Sequence, residues 1–177
     1  MSRTVITIQD RWGSQYFKQA EASTADPLPF QYADKCLLCD IGLPVGPKKA
    51  LHFALRFENV DVSHRPDSLR LLTDCNLERS SHFPRTGHSG IGGRIDLNKC
   101  VVLGEAANDF SGRLHMSRYV CLDETTGWIT WIYPMVLEGC TPYSWLNSSL
   151  TKYLQCLLAY KEYREKWQPL FEEFGGA

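Results

Sequence analysis

Two rhythms of apolar and polar residues run along this chain. From Leu51 to Phe57, the large apolar residues Leu51, Phe53, Leu55 and Phe57 alternate with His52, Ala54 and Arg56, the period-two pattern of a strand. Near the N-terminus, Trp12, Tyr16, Phe17 and Ala20 recur at helical spacing and predict a short amphipathic helix over residues 8–20. Residues 21–30 are turn-rich. The apolar pair Leu37-Leu38 closes a helical turn that Gly42, Pro44, Gly46 and Pro47 bring to an end. Residues 61–94 are polar, and their second half, with its clustered glycines, reads as loop.

Order returns in three strand-like runs. Lys99 to Ala106 is rich in β-formers, and His115 to Asp123 and Trp128 to Tyr133 flank a tight Glu124-Thr125-Thr126-Gly127 connection that predicts a hairpin. In the second arm Trp128, Thr130 and Ile132 fall on one face and Ile129, Trp131 and Tyr133 on the other. Both faces thus carry large residues, one to be covered by helices and one left to a partner. The clearest element comes last. Asn147, Ser148 and Ser149 offer capping side chains, and Leu150, Tyr153, Leu154, Leu157 and Leu158 follow at helical spacing, with Pro169 and Gly175-Gly176 closing the chain.

Composition narrows the classes. With 177 residues, 44% of them hydrophobic, the chain suits a single domain, residues 1–177, with one substantial core. Its 19 basic and 20 acidic residues leave a net charge of −1, and no basic run marks a nucleic-acid surface. There is no apolar leader and no run near the roughly 18 apolar residues of a membrane span, so a cytoplasmic location is expected. The 7 cysteines are odd in number and several sit in apolar runs, as buried reduced thiols do.

Motifs for chemistry fail on inspection. Cys36-x-x-Cys39 has the spacing of a metal knuckle or redox pair, but no second pair completes a zinc site and His82 and His88 fit no common ligand pattern. The run Gly87-His88-Ser89-Gly90-Ile91-Gly92-Gly93 lacks both the nucleophile elbow's Gly-x-Ser-x-Gly and the Lys-Ser/Thr of a phosphate loop. The histidines at 52, 64, 82, 88 and 115 have no carboxylate or cysteine at a telling interval. No cofactor, metal or catalytic residue is expected, and the chain reads as a non-enzyme.

What remains is a surface. Asp40, Glu58, Asp61, Glu105, Asp109, Asp123, Glu124 and Glu138 lie near the expected sheet edges, and with Trp128, Trp131, Tyr133 and Trp145 they sketch an aromatic patch rimmed by carboxylates. The partner-binding candidates are Asp40, Glu105, Asp109, Asp123, Glu124, Trp128, Trp131, Tyr133 and Trp145. For any one of them the plainer reading is a core aromatic or a solvated acid.

The order of several short motifs resembles the SUKH superfamily, and within it the fourth immunity-protein group. They are Asp40-Ile41-Gly42-Leu43-Pro44, a strand ending at Leu103-Gly104, the hairpin Tyr119 to Asp123 with Thr126-Gly127-Trp128, and Trp145 to Leu150 opening a helix with Tyr153 and Leu157. The likeness runs from Lys35 to Tyr163. It implies an α+β fold, a mainly antiparallel sheet with packed helices and a long C-terminal helix. It also implies a protein that binds and neutralises a cognate bacterial toxin domain, often a nuclease or nucleic-acid deaminase. The family supplies no catalytic residues. Asp123, Thr126, Gly127 and Asn147 to Leu150 match its motif positions, in structural roles at turn, strand pair and cap. A protein-binding regulatory scaffold of the same superfamily, or a hydrolase using Cys or His, are the alternatives.

Overall fold

The computed structural model describes residues 3–47, 51–55, 58–75, 97–108, 117–133 and 143–174. Helix α1 (Arg3–Trp12) buries Ile8 and Trp12, one turn apart on one face. It stops where Gly13 takes φ 106°, a conformation that side-chain-bearing residues rarely adopt. The helix expected over residues 8–20 is therefore earlier and shorter. Tyr16 and Phe17 leave it to pack half-buried against the core, with Phe17 opening strand β1 (Phe17–Lys18).

A four-residue helix α2 (Ala22–Ala25) interrupts the turn-rich stretch, and α3 (Tyr32–Cys36) continues as a π-helical turn through Leu37–Ile41. Gly42, at φ 88°, ends that turn as expected. It also lies so close to the Lys18 carbonyl that any side chain would collide with it. Strand β2 (Leu43–Pro44) then pairs with β1 in a two-stranded ribbon.

The main sheet is antiparallel. It holds β3 (His52–Leu55), β4 (Glu58–His64), β5 (Arg70–Leu71), β6 (Cys100–Asn108), β7 (Ser117–Asp123), β8 (Trp128–Ile132) and β9 (Tyr143–Asn147). The strand order is β3-β4-β6-β7-β8-β9, with β5 paired to the outer part of β6 beyond β4. Strand β4 falls in a stretch whose polar sequence gives little sign of it, because alternation there rests on Val60, Val62 and His64 alone. Strand β9 occupies residues expected to lead straight into the helix.

Helix α4 (Leu150–Phe174) starts at Ser149, whose Oγ accepts from the Lys152 N–H at 3.2 Å. It runs on past Pro169 to Phe174, so the proline removes one backbone donor without stopping the helix. The main core lies between α1, the α3 turn and α4 on one side and one sheet face on the other. Val60, Val62, Leu103, Val120, Leu122, Ile129 and Trp131 meet Leu150, Tyr153, Leu154, Leu157 and Leu158 there.

The opposite face is not open at its centre. Cys100, Val102, Cys121 and Ile132 are buried there with Leu72 in a second, smaller core. The expectation of one covered and one free face is therefore corrected: the centre of the second face is covered, while Asp61 and Ser63 on β4, Ala107 on β6 and Trp145 on β9 reach solvent around it. Cys100 and Cys121 are the buried thiols that the sequence suggests, whereas Cys36, Cys39 and Cys75 are half-buried and Cys156 is exposed. Cys140 lies outside the described residues, as do His82, His88 and the glycine-rich run from Gly87.

Candidate functional site

The β7–β8 hairpin carries most of the candidate residues, and its turn is built on Asp123. That carboxylate is fully buried. It accepts the Thr125 N–H at 3.0 Å through Oδ1 and the Thr126 hydroxyl at 2.7 Å through Oδ2. The Thr126 hydroxyl in turn accepts the Trp128 N–H at 3.2 Å, and the Gly127 N–H closes on the Asp123 carbonyl at 2.7 Å. This is the aspartate's natural habit of mimicking a backbone turn. Asp123 holds a hairpin together and presents no carboxylate to a partner.

Glu124 is also withdrawn from solvent, only 7% exposed. Its Oε2 accepts the Gln31 N–H at 2.7 Å, just ahead of α3, and its backbone carbonyl accepts from the Gln31 side chain at 3.4 Å. Burial outweighs that hydrogen bond and lifts its pKa to about 7, with Asp34 and Asp123 adding repulsion. Two acids expected on a rim are therefore inside it.

Trp131 and Tyr133 have a different task. The Arg118 guanidinium lies 4.9 Å from the Trp131 ring centre and 4.8 Å from that of Tyr133, and Arg118 and Trp131 are both buried. Trp131 points into the main core and does not face a partner. Glu105 is half-buried on the other face, within 3.4 Å of Arg65 and 3.6 Å of Arg70, so its charge is offset. Asp40 is exposed at the end of the α3 turn, and Asp61 is exposed on β4. Asp109 and Glu138 lie outside the described residues.

Two candidates share one face of the sheet. Trp145 sits opposite Thr130 in the β8–β9 register, and Trp128 is two residues from Thr130 on the same strand, so both indoles lie on the second face. Trp145 is 51% exposed and Trp128 half-buried. Across the sheet, Trp145, Thr130, Cys121, Val102 and Arg70 form one cross-strand row, buried in the middle and open at both ends.

Sequence reading missed Tyr32, 83% exposed at the start of α3, because one aromatic in a short polar helix carries no periodic signal. It also missed the buried pair His64 and Tyr153. The His64 Nδ1 donates to the Pro44 carbonyl at 2.7 Å and its Nε2 accepts from the Tyr153 hydroxyl at 3.0 Å. Burial lowers the His64 pKa to about 4. The site is therefore a structural tie between β2, β4 and α4.

Among the described residues no group of three or more His, Cys, Asp or Glu is arranged to hold a metal ion. No helix among them is long and apolar enough to cross a membrane. The fold is thus an α+β frame that sets the exposed Trp145 and the half-buried Trp128 on one sheet face, the second of them beside a hairpin turn. The family model for the SUKH-4 immunity protein matches residues 7–175, and the chain belongs to that family. No curated protein and no solved structure matches it.

Proposed function

We propose that this protein is a cytoplasmic immunity protein that acts by binding, without catalysis of its own. It neutralises a cognate toxin domain of the nuclease or nucleic-acid deaminase class by covering its active site. The family match over residues 7–175 carries the immunity reading. The exposed Trp145 beside Trp128 supports the choice of surface, because aromatic side chains supply much contact area at small cost in rotamer freedom.

The acidic part of the surface is smaller than the sequence suggests, since Asp123, Glu124 and Glu105 are engaged within the fold. Asp40 remains exposed, and Tyr32 stands on the same helical segment. A partner that approached over the hairpin turn would meet Tyr32 from α3 and Trp128 from β8, because the Gln31–Glu124 contact joins those two elements.

The test is a pull-down from the native host with tagged protein as bait, followed by co-expression. Recovery of the C-terminal domain of a secreted multidomain protein, toxic alone and harmless together with this chain, supports immunity. Recovery of signalling proteins alone, with no toxic domain, rejects it in favour of a regulatory scaffold.

A further inference from the structure

We propose that Glu124 is a proton-operated latch: with a proton on its carboxyl group the start of α3 is held against the β7–β8 turn, and when the proton leaves the start of α3 lifts away. The geometry carries this. Glu124 is 7% exposed, yet its Oε1 finds no hydrogen-bond partner among the described residues. An ionised carboxylate in that position keeps one oxygen buried and unsatisfied, which is costly, whereas a protonated one carries no net charge to desolvate.

The surroundings push the same way. From α3 the group facing Glu124 is Asp34, itself half-buried and with its pKa raised by burial. From β7 it is Asp123. Both are acidic, and they are the charged groups among the described residues whose fields act on Glu124. The Gln31 N–H favours the ionised form, and burial overcomes it, which places proton loss near neutrality.

The turn is a fixed anchor: the Glu124 N–H donates to the Lys99 carbonyl at 3.2 Å, which ties it to the start of β6. The bonds from Asp123 to Thr125 and Thr126 lie within the turn and do not depend on α3. Gly127, at φ 72°, has open space where a side chain would be. On the other side, the tie to Gln31 is two hydrogen bonds, both to Glu124. Release therefore frees the start of α3, and Tyr32 with it, without disturbing the hairpin ladder. The latch is independent of what the protein binds.

An amide-detected NMR titration of the intact protein, with hydrogen exchange corrected for base catalysis, tests the latch. The Gln31 and Thr125 amide resonances are expected to titrate with a midpoint near neutrality, and protection at Gln31 to fall about tenfold between about pH 6 and pH 8 while Val120 is unchanged. In Glu124→Gln, which keeps an acceptor and cannot ionise, protection at Gln31 is expected to be independent of pH. Asp34→Asn is expected to move the wild-type midpoint down. A Gln31 amide that does not titrate, a pH dependence retained in Glu124→Gln, or a midpoint unmoved in Asp34→Asn each overturns the proposal.

Discussion

The Tyr153 hydroxyl donates to Nε2 of His64 across 3.0 Å, a bond that exists in only one tautomer of the ring. The Pro44 carbonyl can only accept, so Nδ1 must carry the ring proton and Nε2 must be the acceptor. A second proton on the ring would reverse the bond, Nε2–H donating to the hydroxyl oxygen, and would put a net charge inside the core. Tyr153 is likewise held protonated, its pKa raised by burial.

Removing the hydroxyl alone tests this tie. Tyr153→Phe leaves Nε2 buried without a donor and is expected to cost about 1–3 kcal/mol in urea denaturation at neutral pH. A loss too small to measure would mean that the bond contributes no net stability.

His64 and Glu124 are expected to oppose each other as pH changes. His64 has a folded pKa of about 4, below its ordinary 6.5, so the folded state binds fewer protons and stability falls as pH drops from 6.5 towards 4. Glu124 has a folded pKa of about 7, above its ordinary 4.5, so its contribution is complete below 4.5 and is lost as pH rises through 7. In the wild type the two slopes largely offset one another in the overlap. Glu124→Gln is expected to unmask the histidine, losing about 2 kcal/mol between about pH 7 and pH 5 in denaturant melts, and to be more stable than wild type by about 1–2 kcal/mol near pH 8. Parallel wild-type and variant curves would contradict the Glu124 assignment, and a variant curve flat between about pH 7 and pH 5 would contradict the His64 one.

The four aromatic candidates divide by position. Trp145→Ala is expected to change stability by no more than about 0.5 kcal/mol, whereas Trp131→Ala, which empties the core and strips one ring from Arg118, is expected to cost about 3–5 kcal/mol. Thermal melts read both. In co-expression with the toxin domain, Trp145→Ala is expected to weaken protection while remaining folded, and full protection by the double variant Trp128→Ala, Trp145→Ala would remove this surface from consideration.

Ser149→Ala is expected to cost about 1 kcal/mol, because it removes the acceptor for the Lys152 N–H in the first turn of α4. Asn147 and Ser148, which look equally capable from the sequence, are not at the capping position, so Ser148→Ala is expected to have little effect on the same melts.

The hairpin and the last helix were legible because their signals are local. Alternation in Trp128 to Tyr133, a glycine able to take φ 72°, and a serine ahead of a leucine stripe each act within a few residues. Strand β4 was hidden because its polar positions face solvent, and β9 because it is a short strand at the end of the sheet whose pairing is to β8. The candidate site was half legible. Residue type says that Asp123 and Glu124 are acidic, but their withdrawal depends on Thr126 and on Gln31, the second of which lies 93 residues away. Trp131 and Trp145 are chemically identical, and only the register of β8 and β9 tells the core ring from the exposed one.

The tie among Pro44, His64 and Tyr153 also sets an order of events during synthesis. Its partners span 89 residues between His64 and Tyr153 alone, and the last of them sits on the final described helix. A nascent chain that has not yet delivered α4 leaves Val120, Leu122 and Ile129 without their cover and the imidazole without its donor. Such a fragment is prey for proteases and chaperones. The folded sheet face then forms in a single step, when α4 is delivered, and not by degrees.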